Sequence, residues 1–145
     1  MSEARAYPQR PFLAVSAAIV RDDKILVVRR ARPPASGVYT LPGGVVEVGE
    51  TLFEAVMREV REETAMTIEP VALAGFREAI ARDAADRVER HFVIMCFAAR
   101  WKGGEPVLNE ELSEAHWLDP SEIPRLTMTT AGLADIVAQA FERLR

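Results

Sequence analysis

Three glutamates at helical spacing dominate the chemistry that this sequence can support. Glu59, Glu62 and Glu63 stand at positions i, i+3 and i+4, so on an α-helix their carboxylates project from one face. Like charges at this spacing destabilise a helix by about 0.2–0.5 kcal/mol per pair. A hard divalent cation, which prefers oxygen ligands, would offset that repulsion. The residue types and their spacing therefore predict a metal site on this helix.

The start of this helix is clearly marked in the sequence. Thr51 followed by Glu54 three residues later is typical of a capping box, in which each side chain binds the other residue's backbone N–H group. We predict a helix from there to about Thr64, with Arg58 four residues after Glu54 and four before Glu62, so that it pairs with both. The carboxylates are expected opposite an apolar inner face formed by Leu52, Ala55, Val56 and Val60.

The segments before the helix are typical of strands and turns. Phe12–Val20 and Lys24–Arg30 are apolar runs that predict a β-hairpin. Arg32–Gly37 contains two consecutive prolines, which favours a loop. Tyr39–Leu41 is predicted to be extended, and Pro42–Gly44 to form a turn that leads towards the helix.

After the helix, Met66–Phe76 is predicted to be a strand with a bulge or an edge position near Pro70. Arg77–Arg90 is mostly charged and predicts a mobile surface connection. His91–Trp101 is the strongest apolar run in the chain. We therefore expect it to form a central, buried strand.

The C-terminal part predicts a short strand at Glu114–Leu118, a single helical turn at Asp119–Pro124 and a last helix at about Thr130–Leu144. The last helix carries an apolar stripe at helical spacing, made of Leu133, Ile136, Val137, Ala140, Phe141 and Leu144. Strands thus alternate with two main helices, which predicts the α/β class, with a mixed sheet sandwiched between helices.

Composition bounds the function classes. The chain has 145 residues and a net charge of -4, which fits one compact domain and argues against a nucleic-acid surface built on positive charge. No apolar run is long enough to span a membrane, residues 1–11 are predicted to be a tail or edge segment, and a cytoplasmic location is expected. The single cysteine, Cys96, lies in an apolar run and is predicted to be a core residue.

The segment Gly44–Met66 resembles the Nudix box, G-x5-E-x7-R-E-U-x-E-E-x-G-U, where U is an aliphatic residue. The pattern requires several residue types in a fixed register, so the signal is specific. The matching positions are Gly44, Glu50, Arg58, Glu59, Val60, Glu62, Glu63 and Met66.

One position departs from this pattern, because Ala65 stands where the family has glycine. That glycine is typical of a helix C-terminus in the left-handed conformation, where a Cβ atom costs about 1 kcal/mol. An alanine can be tolerated there if the helix ends with different backbone dihedral angles, and we expect no effect on the chemistry.

The resemblance implies a single Nudix hydrolase domain over residues 1–145, folded as a Nudix-like α/β/α sandwich with a mixed central sheet and two main helices. It implies that Glu59, Glu62 and Glu63 are metal ligands and that Glu59 also orients or deprotonates water. Arg58 is expected to hold the carboxylates in place by ion pairing, with Glu50 as its partner.

Further ligands are expected from two other segments. A carbonyl of the glycine turn, assigned to Gly43, would complete the metal shell. The family often adds an acidic ligand from a loop before a late strand that contains tryptophan. Glu111, six residues before Trp117, matches that position, and Glu110 and Glu114 remain alternatives.

The resemblance implies hydrolysis of a nucleoside diphosphate linked to another moiety, such as an ADP-ribose-like or NDP-sugar-like compound, by water activated by Mg²⁺, with Mn²⁺ as a substitute. One alternative is a nucleoside triphosphate pyrophosphohydrolase that sanitises the nucleotide pool. Another is a module that senses nucleotide derivatives without turnover. Candidate substrate contacts are Arg29, Arg30, Tyr39 and Phe76.

The expected partner is a small molecule, with neither nucleic acid nor membrane. The apolar strands are also compatible with a homodimer, in which they would pair across a two-fold axis.

Overall fold

The computed structural model describes residues 5–145. Within this range seven strands form one sheet, and two α-helices and a short 3-10 helix accompany it. The elements in chain order are β1 (Phe12–Arg21), β2 (Lys24–Arg30), β3 (Tyr39–Thr40), β4 (Gly43–Val45), α1 (Leu52–Thr64), β5 (Thr67–Arg82), β6 (Val88–Gly103), β7 (Leu112–Leu118), the 3-10 helix (Pro120–Arg125) and α2 (Leu133–Arg143).

The sheet is mixed, as the sequence predicts. Its strands run in the order β3-β2-β1-β6-β5, with β4 paired to β1 and β7 paired to β2. β1 and β6 are parallel, while β1 and β2 are antiparallel. β6 is therefore a central strand, as its apolar sequence indicates, and β5 is the outer strand next to it.

Alternation along the strands divides the core between the two faces of the sheet. In β2, Leu26 and Val28 pack in the cluster that contains Val56 and Val60 of α1. Their neighbours Ile25 and Val27 pack in the cluster on the side of α2. Because successive side chains of a strand point to opposite faces, a fully apolar strand can serve both helices. The helix-on-each-face sandwich follows from this pattern.

The prediction of a mobile connection over Arg77–Arg90 is wrong. β5 continues to Arg82 and β6 begins at Val88, so only residues 83–87 connect the two strands. The turn is held by the Asp83 carboxylate, which accepts hydrogen bonds from the backbone N–H groups of Ala85 and Arg87. The charged side chains hide the strand pattern, but the backbone hydrogen bonds to β6 do not depend on side-chain charge.

Smaller corrections concern the ends of elements. Gly43 and Gly44 lie in strand β4 instead of a turn, because they pair with Ser16 and Val15 of β1. α2 begins at Leu133, three residues later than predicted, after a glycine in the left-handed conformation. The register shift in the β5–β6 ladder at residues 70–72 agrees with the predicted bulge.

Within residues 5–11, Tyr7 contacts the β5–β6 hairpin near its turn. The Tyr7 hydroxyl donates to the Asp83 carboxylate at 2.8 Å, and the Tyr7 N–H donates to the Glu89 carbonyl at 2.8 Å. The other four residues of the predicted tail lie outside the described residues. Neither α-helix of residues 5–145 is long and apolar enough to cross a lipid bilayer.

The helix α1 starts with the predicted capping box. The Thr51 hydroxyl accepts from the Glu54 N–H, and the Glu54 carboxylate accepts from the Thr51 N–H. The Glu54 carboxylate is thus used at the helix start, and it is absent from the described ion-pair partners of Arg58.

The helix C-terminus shows that the alanine is tolerated without a change of backbone dihedral angles. Ala65 adopts the left-handed conformation, with φ 61° and ψ 13°, and its N–H donates to the Arg61 carbonyl. The alanine therefore accepts the conformation in which the family has glycine, although its Cβ makes that conformation unfavourable.

We predict that Ala65→Gly stabilises the protein by up to about 1 kcal/mol, because it removes the Cβ penalty at a positive φ. Ala138→Gly in the exposed middle of α2 is the matched control and should destabilise by about 1 kcal/mol. Urea unfolding measures both. If Ala65→Gly lost as much stability as the control, Ala65 would not carry a Cβ penalty in the left-handed conformation.

Candidate active site

An acidic cavity of about 350 Å³ lies between α1, β4 and the segment before β7. Six carboxylates line it: those of Glu47, Glu59, Glu62, Glu63, Glu110 and Glu111. Arg5, Arg30 and Arg58 contribute the basic side chains. The carboxylates come from three segments, so the fold concentrates negative charge that the helix alone would carry only in part.

Arg58 is the cation at the centre of this cluster. Its guanidinium donates to both carboxylate oxygens of Glu50, at 2.6 and 2.9 Å. It also donates to Glu59 at 2.9 Å, to Glu62 at 3.3 Å and to the Val45 carbonyl at 3.1 Å. The bidentate contact with Arg58 and the Glu47 N–H lower the pKa of Glu50 to about 2. The predicted ion pair between Arg58 and Glu50 is present.

Glu63 is buried, which corrects the expectation that all three carboxylates lie opposite the apolar face. Its exposed fraction is 7%, whereas the side chain of Glu62 is 55% exposed. Val56, Val60 and Glu63 stand at i, i+4 and i+7, so Glu63 continues the buried stripe of the helix. The Gly43 N–H donates to its carboxylate at 3.0 Å.

The surroundings of Glu63 oppose its ionisation. Burial and the nearby Glu59 carboxylate raise its pKa to about 8, although the Gly43 N–H and Arg30 act in the opposite direction. Burial also raises the pKa of Glu59, while Arg58 opposes this effect. Two adjacent carboxylates with raised pKa values are typical of a functional site.

The two glycines of β4 let the helix approach the sheet. A Cβ atom on Gly44 would overlap the carboxylate of Glu59, and one on Gly43 would overlap the backbone of Val15 and Ser16. Neither glycine has a positive φ. The need for glycine is therefore one of space.

The donor set suits a hard divalent cation, since oxygen ligands surround a buried carboxylate whose charge is poorly compensated. Among the described residues, no three Asp, Glu, His or Cys side chains are close enough together to form a ready coordination shell. The contacts explain this, because Arg58 holds Glu59 and Glu62. A cation would have to compete with Arg58 for these two carboxylates.

The three candidates for the extra acidic ligand separate in the structure. Glu110 and Glu111 line the acidic cavity, and Glu111 is close enough to Glu63 to raise the pKa of that group. Glu114 instead contacts Nε2 of His116 at 2.8 Å, Nη1 of Arg29 at 2.8 Å and the Tyr39 hydroxyl at 2.9 Å. The placement favours Glu110 or Glu111 over Glu114.

A second cavity, of about 490 Å³, adjoins the acidic one, and the two share Arg30, Gly43, Gly44 and Val45. Phe76 lines this second cavity, and its role as a substrate contact remains a prediction. Arg30 faces both cavities, whereas Arg29 and Tyr39 are held by Glu114 and line neither.

The sequence reasoning missed Arg77 and Arg90, which both line the second cavity. Both lie in Arg77–Arg90, for which the sequence predicts a mobile connection. The signal for them is the β-hairpin. Arg90 pairs with Ala81, which is four residues from Arg77 on the same strand. Because this spacing is even, Arg77 and Arg90 face the same side of the sheet.

We predict that Gly44→Ala displaces the Glu59 carboxylate, because the new Cβ would occupy its position. Hydrolytic activity should fall at least about tenfold, and the rise in Tm on adding Mg²⁺ should become smaller. The circular dichroism spectrum should not change. Gly103→Ala is the matched control, since a Cβ at Gly103 meets nothing within 4 Å. Equal behaviour of the two variants would refute the steric argument.

The cluster around Glu114 should be a source of pH-dependent stability. The His116, Arg29 and Tyr39 side chains lower the pKa of Glu114 from 4.5 to about 2. Because the folded-state pKa is the lower one, the stabilisation is present above the unfolded pKa and is lost as the pH falls through the folded one. Glu114→Gln should therefore be less stable than the parent at about pH 6, with a smaller difference at about pH 2.5. Urea unfolding from about pH 2.5 to about pH 6 measures the free energy of unfolding of both proteins. If the difference between them did not change with pH, the lowered pKa of Glu114 would not contribute to stability.

Comparison with known proteins identifies the family. The sequence profile described as the NUDIX domain matches residues 10–140. An ADP-ribose pyrophosphatase of Methanocaldococcus jannaschii is 36% identical over 116 residues, which cover 80% of this chain and 66% of that protein. The NAD-capped RNA hydrolase NudC of Escherichia coli O1:K1 / APEC is 36% identical over 124 residues, which cover 84% of this chain and 44% of that protein.

A solved structure is also similar over nearly its whole length. The crystal structure of a MutT NUDIX hydrolase from Burkholderia pseudomallei superposes with a TM-score of 0.77 at 31% identity, covering 90% of this chain and 98% of that one. The ADP-ribose pyrophosphatase and NudC are both longer than this chain, which spans 66% and 44% of their respective lengths.

Proposed function

The chain belongs to the Nudix hydrolase family, and we propose that it is a Mg²⁺-dependent pyrophosphohydrolase that cleaves the diphosphate linkage of a nucleoside diphosphate linked to another moiety. The observation that carries this proposal is the buried Glu63 carboxylate beside Glu59 in an acidic cavity. The similarity to an ADP-ribose pyrophosphatase supports an ADP-ribose-like substrate.

In this proposal the metal lies at the acidic cavity. Glu59, Glu62 and Glu63 would hold Mg²⁺, together with Glu111 and the Gly43 carbonyl, and Mn²⁺ could substitute. When bound, the ion supplies the positive charge that activates water and neutralises the oxygens of the diphosphate.

The chain's own residues position and activate the water. Arg58 fixes Glu59 and Glu62 by its hydrogen bonds, so these carboxylates are oriented before substrate arrives. The raised pKa of Glu59 brings its carboxylate nearer to the pKa that suits a general base at neutral pH. Glu59 would then accept the proton of the attacking water at a carboxylate oxygen.

The nucleoside diphosphate would extend from the acidic cavity into the adjoining one. Arg30 lines both cavities and has its Nε bound to the Pro34 carbonyl at 2.8 Å, which fixes the guanidinium at their junction. A guanidinium there can contact a phosphate oxygen. Phe76 also lines the second cavity and remains a candidate contact for the rest of the substrate.

A nucleoside triphosphate pyrophosphohydrolase is the second candidate function, supported by the similarity to the MutT NUDIX hydrolase structure. A panel of nucleoside diphosphate compounds and triphosphates separates the two. Cleavage of the first class yields two monophosphate products, whereas cleavage of the second releases pyrophosphate. Binding of these compounds without turnover of any of them would instead favour the sensing module.

We predict that Glu59→Gln lowers kcat on the best substrate by at least about a hundredfold, because the amide cannot act as a base. The rise in Tm on adding Mg²⁺ should also shrink, because one anionic ligand is lost. Glu69→Gln on the exposed side of β5 is the control and should behave as the parent protein. A parent-like rate for Glu59→Gln would remove Glu59 from the mechanism.

A further inference from the structure

The second cavity carries an excess of positive charge that nothing in the proposed hydrolysis uses. Its lining is mostly apolar, but it includes Arg30, Arg77 and Arg90, against a single acidic residue, Glu78. Arg30 is accounted for by its backbone contact and its place at the junction with the acidic cavity. Arg77 and Arg90 are not.

Both of these arginines are short of partners. Nη1 of Arg90 is buried and has no hydrogen-bond partner among the described residues. Burial lowers the pKa of Arg77; Cys96 opposes this effect and nearby Arg30 adds to it. Within residues 5–145 no carboxylate forms an ion pair with either arginine at 4.0 Å or less. A guanidinium removed from water without an acceptor is costly, so the cavity favours a ligand that supplies one.

The register of the hairpin shows where the two charges lie. Arg77 pairs with Ile94, and Arg90 pairs with Ala81, four residues further along β5. The even spacing puts both side chains on the same face of the sheet, with their Cα atoms about 13 Å apart along the strands. Two long side chains at this separation can contact one group that lies between them.

Arg90 is also the more distant of the two from the acidic cavity. β6 approaches that cavity near Cys96, which pairs with Ser16, and Ser16 in turn pairs with Gly43. Arg90 stands six residues from Cys96 along the strand, about 20 Å away. A group bound by Arg77 and Arg90 is thus displaced from the carboxylates that would act on the diphosphate.

We propose that Arg77 and Arg90 form a subsite for a phosphate monoester that the substrate carries in addition to its scissile diphosphate. This inference rests on the proposed function for the identity of the ligand. A monoester has a charge of about −1.5 to −2 near pH 7, which matches two guanidinium groups, and its oxygens accept their forked N–H groups. An uncharged sugar or base would leave both charges without a counterion.

The first test measures anion binding without turnover. In buffer with EDTA, inorganic phosphate at constant ionic strength should raise the Tm of the parent protein in a saturable way. The rise should be lost in Arg77→Gln, Arg90→Gln and the double variant. Arg82→Gln is the control, since Arg82 lies on the same hairpin but outside the cavity lining. The absence of a phosphate-dependent rise in the parent, or equal rises in all variants, would overturn the subsite.

The second test measures specificity. ADP-ribose is compared with two analogues that carry an added phosphate monoester on the adenosine ribose or on the distal ribose. The parent should prefer one analogue by at least about tenfold in kcat/KM, and the double variant should lose that preference while its rate on ADP-ribose changes less than about threefold. Equal kcat/KM for all three compounds would overturn the proposal.

The two tests separate this inference from the proposed hydrolysis. If phosphate binding depends on the two arginines but no compound is hydrolysed, the hydrolase assignment fails and the anion subsite stands. If hydrolysis occurs but neither binding nor preference depends on Arg77 and Arg90, the subsite fails alone.

Discussion

The structure of the site depends on how the carboxylates of α1 are kept together before any cation is bound. Arg58 does this from within the same helix, because its guanidinium contacts Glu50, Glu59 and Glu62 at once. The repulsion among these groups is thereby replaced by charge-assisted hydrogen bonds. The same contacts prevent the carboxylates from converging on one another. Arg58 therefore both stabilises the acidic cavity and sets what a cation must displace.

The close approach of α1 to β4 adds a second constraint. Gly43 and Gly44 provide the space, and the Gly43 N–H binds the buried carboxylate of Glu63. Because Glu63 continues the apolar stripe of the helix, packing of the hydrophobic core also inserts a carboxylate at the sheet. Stability and chemistry are thus coupled through one helix face. A change in the packing of α1 would move the acidic cavity with it.

Charge is separated between the two adjoining cavities. The acidic cavity attracts cations, and the second cavity presents arginines in an apolar lining. Arg30 stands at the junction and is near both Glu63 and Arg77. For the proposed activity, this arrangement suits an elongated substrate whose diphosphate lies at the acidic cavity. The long β5–β6 hairpin provides two of the second cavity's three arginines, Arg77 and Arg90, so the length of these two strands shapes that cavity.

Local sequence alone determined the helix α1, its capping box, the hairpin of β1 and β2, the apolar stripe of α2 and the spacing of the carboxylates. These features depend on contacts between residues close in the chain, for which periodicity is a direct signal. Only the tertiary structure decided that Glu63 is buried, that Glu114 pairs with Arg29 instead of lining the acidic cavity, and that Arg77 and Arg90 face one cavity. The burial and pairing of these residues are set by strand register and by helix-to-sheet distance. Both depend on residues far apart in the chain, which a local pattern does not encode.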